Sequence, residues 1–324
     1  MGNNNNMENK NAKIFIAGHT GLFGSAIYRY FIAAGYEDIV TRTHSELDLS
    51  NSELTREFFE KEKPEYVFCA AAMVGGILAN NTYMADFSMV NLKITCNIID
   101  NAHKYGVKKL LYLGSSCIYP RDCPQPIKEE YLLTGPLEPT NEGYALSKIT
   151  GIKLCDYYKK QYGSDFISCM PANVYGPNDC YDTAKNHVIP ALIQRFHSAK
   201  MDNIPVVEIW GTGKVRREFL YIDDAAEACI FLMNKYKGPG IVNIGAGEDI
   251  SIAELALLIR DVIEYKGEIN FDVSKPDGMP RRILDCSKIR AMGFEAKTPL
   301  QIGLKKAYQW YIENINAMEE RQNA

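Results

Sequence analysis

Residues 13–34, KIFIAGHTGLFGSAIYRYFIAA, constrain the fold more than any other stretch. Ile14, Phe15, Ile16 and Ala17 form an unbroken apolar run, as a parallel strand covered on both faces requires. Gly18, Gly21 and Gly24 follow at three-residue intervals, and Ala26, Ile27, Tyr30, Phe31 and Ala34 then recur at helical spacing. Strand, glycine turn and helix in this order let the backbone approach a pyrophosphate, while free amides and the helix dipole offset its charge. The spacing is G-x-x-G-x-x-G, a weak signal by itself, so the flanking strand and helix carry the reading. An ordinary strand-to-helix turn is the bland alternative.

The same alternation repeats downstream. Strands are expected over 38–43, 66–71, 110–113 and 166–170, and helices over 52–61, 86–105 and 144–162. Such βα units dictate a doubly wound parallel sheet, a Rossmann-like α/β fold that binds ligands at the carboxyl ends of its strands. Beyond 171–179 the pattern loosens into helices over 187–199, 223–234 and 253–265 and strands over 206–210, 218–222 and 241–244. Thr298 and Pro299 read as the N-cap and first residue of a last helix. A smaller α/β C-terminal substrate lobe over 176–324 is therefore expected beside a Rossmann domain of 12–175 that reclaims segments near 210–245. The 324 residues suffice for both.

Residues 1–11 form an Asn-rich leader that is expected to be disordered, and no segment has the roughly 18 apolar residues of a membrane span. A net charge of −4 gives no footprint for nucleic acid. The nine cysteines are odd in number and form no C-x-x-C pair, which points to reduced thiols, a cytoplasmic protein and no metal site.

The second strand ends in Arg42, Thr43 and His44 rather than in the acid that grips NAD ribose hydroxyls, so NADP is the expected cofactor. Asp48 and Leu49 follow within reach of an adenine. The fourth strand ends in Leu113, Gly114, Ser115, Ser116 and Cys117, where extended backbone would point Ser115 and Cys117 the same way. A Tyr and a Lys four apart share a helix face, and the ammonium is expected to favour the phenolate and so ready the tyrosine for proton transfer to a ketone. That spacing occurs three times, at Tyr105/Lys109, Tyr144/Lys148 and Tyr181/Lys185. Gly106 separates the first pair and the third lies in polar NDCYDTAKN, whereas Tyr144 starts an apolar-striped helix after the Ser115 strand end. On residues alone, Cys117 also reads as a buried core thiol and His187 as a helix cap.

The Gly18 turn with Ser115, Tyr144 and Lys148 resembles the short-chain dehydrogenase/reductase superfamily, in its extended, sugar-nucleotide-modifying branch. The runs GSSCIYP, NEGYALSK, PANVYGPND, HVIPALIQRFH and WGTGKVRREFLYIDD extend the likeness over nearly all of the chain after residue 11. They are similar to those of epimerase-reductases acting on a GDP-linked 4-keto-6-deoxy sugar. The resemblance implies a homodimeric NADPH enzyme in which Ser115, Tyr144 and Lys148 serve reduction, and Cys117 and His187 are the acid/base pair of two epimerisations. It implies a cofactor site of Gly18, His19, Thr20, Gly21, Leu22, Phe23, Gly24, Arg42, His44, Asp48 and Leu49. Leu113, Gly114, Ser115, Ser116, Tyr144, Lys148, Pro171, Ala172, Asn173, Val174 and His187 would complete that site. The GDP-sugar would meet Cys117, Asn173, His187, Arg195, Trp210, Arg217 and Asp277, with arginine forks for the diphosphate and Trp for guanine. Bacterial members carry arginines facing the NADP phosphate where this chain has Thr20 and His44, which leaves Arg42 for that task.

Overall fold

The structure, a computed structural model, describes residues 7, 9–75, 77–182, 186–275 and 277–322. Strands β1 (Ile14–Ala17), β2 (Ile39–Val40), β3 (Tyr66–Cys69), β4 (Lys109–Leu113) and β5 (Phe166–Pro171) alternate with helices. These are α1 (Leu22–Ala33), α2 (Ser52–Glu62), α3 (Ile77–Thr82), α4 (Met84–Lys104) and α5 (Glu142–Tyr162). Next come β6 (Asn173–Tyr175), α6 (Val188–Met201), β7 (Val206–Trp210), β8 (Arg216–Tyr221), α7 (Ile222–Lys235) and β9 (Ile241–Ile244). The chain continues through β10 (Asp249–Ser251), α8 (Ile252–Ile263), β11 (Glu268–Asp272), β12 (Arg281–Arg282), α9 (Ser287–Ala291) and α10 (Leu300–Gln322).

Six strands in the order β2-β1-β3-β4-β5-β9 form one sheet, parallel throughout. Helices α1 and α7 pack on each other, as do α2, α4 and α5, giving the sheet a helical layer on each face. Every residue of β1, β3, β4 and β5 is buried between them, which is why these strands read as continuous apolar runs. The chain leaves β1 toward β2 on one side and β3 on the other, so the crevice of a doubly wound sheet opens at the carboxyl ends there. Phe15 packs against Phe58 and Phe59, and Phe31 against Phe68, with ring centroids 4.5 to 5.9 Å apart. A second sheet runs β10-β8-β12 with β6 also on β8, and β7 pairs with β11. Among the described residues, no helix is long and apolar enough to cross a membrane.

Local chemistry explains where elements differ from expectation. Strand β2 stops early because Thr43 turns back on Glu46, donating to its carboxylate from the amide (2.7 Å) and the hydroxyl (2.8 Å). Thr298 does not cap α10: its hydroxyl donates to Asp224 Oδ1 at 2.9 Å, and the amides of Lys297 and Thr298 donate to Asp224 Oδ2 at 3.0 and 2.7 Å. The helix starts one residue later, with the Pro299 carbonyl accepting from the amides of Ile302 and Gly303. Lys109 is a buried strand residue, and its ammonium donates to the Tyr236 carbonyl (2.6 Å) at the C-terminal end of α7. Residues 1–6 and 8 of the leader lie outside the described residues, while Met7 is buried and its amide donates to Asn234 Oδ1 at 3.2 Å.

Candidate active site

Strand β1 delivers the chain to Gly18 at φ +84°, where a Cβ would lie 2.8 Å from the backbone nitrogen of Ala71. A Cβ on Gly24 would lie 2.1 Å from the Gly18 carbonyl oxygen, so the turn admits only glycine at both positions. Gly21 is the N-cap of α1, and neither a side-chain cap nor an acid in the first turn competes for the helix amides. His19 Nδ1 is buried in the same turn without a hydrogen-bond partner. An uncapped helix start, a backbone open to close approach and an orphaned ring nitrogen fit a dinucleotide phosphate. Arg42 stands at the end of β2, but its guanidinium is shared with Glu62 (2.8 Å) and the Thr41 carbonyl (2.7 Å) and lies over the Phe58 ring. His44 is exposed, 3.9 Å from Asp48, whose carboxylate in turn accepts from Ser50. Leu49 is buried, with its carbonyl accepting from Asn97.

Strand β4 ends at Leu113, whose carbonyl receives the Lys148 ammonium at 2.8 Å. Ser115 then caps a single 3₁₀ turn, Ser116–Ile118, its Oγ accepting from the Cys117 amide at 3.4 Å. The chain here is wound rather than extended, so the cap, and not strand alternation, brings Ser115 and Cys117 together. Lys148 is buried, with Nζ 5.8 Å from the Tyr144 ring centroid and 5.0 Å from that of Tyr112. Burial lowers the Lys148 pKa, against the pull of Cys69, Cys117 and Cys169. Burial raises the Tyr144 phenol, and nearby Cys117 adds to the rise. The expected phenolate is therefore not favoured: the ammonium is turned to the Leu113 carbonyl, desolvation dominates, and Tyr144 is held as a neutral phenol.

Burial likewise raises the Cys117 thiol, opposed by Ser115, Arg282 and Lys148. His187 is the N-cap of α6 without a side-chain cap bond. The residue is exposed overall, and burial of its ring lowers the His187 pKa. Ser115, Cys117, Tyr144 and Lys148 thus gather around one turn, and His187 stands on a separate element. Of the two rejected pairs, Tyr181 stacks on Trp310 and packs at a tilt against Tyr311, and Lys185 lies outside the described residues. Asn173, after Pro171 and Ala172 at the end of β5, donates to the Glu218 carbonyl at 3.0 Å, and Val174 continues β6 along β8.

Arg195 on α6 donates to the Glu208 carbonyl at 2.6 Å and, with Trp210, lines a cavity of about 330 Å³. Trp210, at the end of β7, is 66% exposed. Asp277 accepts from the Thr212 amide (2.8 Å) and hydroxyl (2.6 Å) just beyond it. Residues 277–282 then lead from this end toward Cys117. In the parallel register of β12 on β8, Arg281 faces Arg216 and Arg282 faces Arg217. Successive strand residues project to opposite faces, so these are two separate arginine pairs. The first pair shares Asp249, which accepts from Arg216 Nε at 3.0 Å and from Arg281. The second has no carboxylate among the described residues: Arg217 donates to the carbonyls of Met279 (2.7 Å) and Arg216 (2.8 Å), and Arg282 to that of Ser116. Burial, and then Arg282, lower the Arg217 pKa. Like charges facing one another are unfavourable in an empty site and favour a bound anion. Arg282 escaped the sequence reading, although the Arg-Arg step at 281–282 repeats the one at 216–217.

Residues 14–245, more than half of the chain, match the NAD dependent epimerase/dehydratase family, and the chain belongs to it. It is 54% identical over 309 residues to "Putative GDP-L-fucose synthase 2" of Arabidopsis thaliana, covering 95% of this chain and 94% of that protein. It is 49% identical over 311 residues to "GDP-L-fucose synthase" of Escherichia coli, covering 93% of this chain and 97% of that one. Within the family the chain therefore groups with the GDP-L-fucose synthases. A crystal structure of a GDP-L-fucose synthetase from Naegleria fowleri bound to NADP matches the fold with a TM-score of 0.89 at 29% identity, covering 95% of this chain and 94% of that chain.

Proposed function

We propose that this chain converts GDP-4-keto-6-deoxy-D-mannose to GDP-L-fucose, by epimerisation at C3 and C5 followed by NADPH-dependent reduction of the C4 ketone. One observation carries the reading. A line runs from Lys148, Tyr144 and Cys117, past Arg282 on the Ser116 carbonyl, through the unneutralised Arg217 to Asp277 and the Trp210 cavity. Its chemistry matches a sugar, a diphosphate and a base in that order. The names of the relatives support the same substrate, and the NADP bound by the Naegleria protein supports the cofactor.

The C3 and C5 hydrogens flank the C4 carbonyl, so polarising that oxygen acidifies both. Tyr144, kept neutral by burial, donates to the C4 oxygen. Inversion needs a proton removed from one face and returned on the other, and Cys117 and His187 share these two tasks. The Gly18 to Gly24 turn and its free amides hold the dinucleotide, which when bound supplies hydride to C4. Tyr144 gives its proton to the C4 oxygen, while Ser115 and Lys148 keep the phenol in place.

The test is incubation with the GDP-4-keto-6-deoxymannose substrate and NADPH in deuterated water. Loss of reduced-nicotinamide absorbance with deuterium at C3 and C5 is expected. Unchanged absorbance overturns the reading, and reduction without deuterium leaves a plain C4 reductase.

A homodimer is proposed through α4 and α5, because Met89, Leu146 and Tyr157 are exposed on these two packed helices. Buried thiols at Cys69, Cys155, Cys169 and Cys229 without disulfides support a cytoplasmic location. Strand β9 within the main sheet supports a cofactor unit of 12–175 that takes back segments near 210–245, with the substrate unit in the rest of 176–324.

A further inference from the structure

We propose that Arg282 is a positioning residue for Cys117, its guanidinium supplying the positive charge that lets the sulfur be negative while it exchanges a proton with the sugar. The placement follows from the β12 register. Arg281 turns to Asp249, so Arg282 turns the other way, opposite Arg217. There it donates to the carbonyl of Ser116, the residue before Cys117, and its other terminal nitrogen lies 3.3 Å from Met279 Sδ, a weak acceptor. No carboxylate pairs with it among the described residues, so its charge is available to the turn.

Two other groups favour a negative sulfur, Ser115 through a hydrogen bond and Lys148 through its charge, so Arg282 acts beside them. Ser115 Oγ, on the same turn, is neutral and already accepts from the Cys117 amide. From α5, Tyr144 is a neutral phenol, and the Lys148 ammonium is buried and committed to the Leu113 carbonyl. Arg282 also acts on Cys123, lowering its pKa while Asp122 raises it. The inference rests on the reading of Cys117 as a proton-transfer group and holds whichever direction that group works. As base the sulfur is a thiolate before it takes the proton, and as acid it becomes one after giving it. The proton passes between Sγ and a sugar carbon, and nothing is oxidised or reduced. Burial alone would hold the sulfur protonated, and a guanidinium beside it offsets that penalty.

The test reads Cys117 without substrate, as the pH profile of its alkylation by iodoacetamide, resolved peptide by peptide, with exposed Cys96 as the internal standard. Arg282→Gln is expected to move the Cys117 midpoint upward and slow its labelling at pH 8 about three- to tenfold, with Cys96 unchanged. Arg282→Lys, which keeps the charge, is expected to stay within about twofold of wild type. Arg282→Met fills the same space should the Gln variant unfold. A neutral variant that folds with an unmoved Cys117 profile overturns the proposal. So does a Lys variant as slow as the Gln variant, or unfolding of both neutral variants, which makes the residue structural. An unmoved profile, while the wild type consumes NADPH with its substrate, refutes this inference alone.

Discussion

Gly24→Ala tests the cofactor turn most directly. The added Cβ would lie 2.1 Å from the Gly18 carbonyl oxygen, 2.6 Å from its carbon and 2.8 Å from the His19 Cα. Contacts between such atoms settle near about 3.5 Å, so the two backbones must part by about 1 Å. Gly18 cannot yield, because it is held at φ +84° with the Ala71 backbone close behind it. The start of α1 must lift instead. Overpacking of this kind costs about 1–3 kcal/mol, and the better helix propensity of Ala returns about 1 kcal/mol. The net of about 0–2 kcal/mol lowers the melting temperature by at most about 3 °C for a chain of this size. Binding suffers more, since amides moved by about 1 Å no longer meet the phosphates, and the NADPH Kd is expected to rise about 10- to 100-fold. Fluorescence titration with NADPH and a thermal melt measure both effects. Gly106→Ala is the control: φ is +75° with nothing within 4 Å, so it costs stability and leaves NADPH affinity alone. Wild-type affinity in Gly24→Ala would refute the account of the turn.

Tyr144→Phe should slow NADPH oxidation about 10²- to 10⁴-fold while leaving the NADPH Kd within about twofold, and retained turnover removes the proton-donor role. Asp224→Ala strips the acceptor from the amides of Lys297 and Thr298 and from the Thr298 hydroxyl, at about 2–4 kcal/mol. A urea midpoint that does not move would show that this clasp holds nothing. Burial pushes the Asp179 carboxyl from 3.8 up to about 7, and its Oδ2 lacks a partner. A folded value above the unfolded one means that the contribution is full below about pH 3.8 and lost as pH rises through 7. Wild type should therefore lose melting temperature between pH 5 and pH 8 relative to Asp179→Asn, and parallel curves would contradict the burial argument.

The parallel strands were legible because burial on both faces leaves an unbroken apolar run, as in β1 and β3. β6, β10 and β12 were not, because two or three residues hold no period and each is set by its pairing with β8. The Tyr144 and Lys148 pair could be read from helical spacing, whereas the protonation of Tyr144 depends on enclosure that spacing does not encode. Arg42 was visible as a cation at a strand end, but its partner Glu62 comes from the far end of α2. Arg282 has meaning only through a parallel register with β8, formed across a long separation in sequence.

Strand β9 closes one edge of the main sheet against β5, yet β6, β7 and β8, which come between them along the chain, lie elsewhere. During synthesis the flank of β5 therefore stays bare until residue 244 has left the ribosome. At about 5–20 residues per second, translating 172–244 takes roughly 4–15 s. Throughout that interval a row of unsatisfied amides and carbonyls invites pairing with a neighbouring nascent chain, a hazard that chaperone cover would relieve. Expressing the two halves as separate polypeptides would leave that flank exposed until they meet.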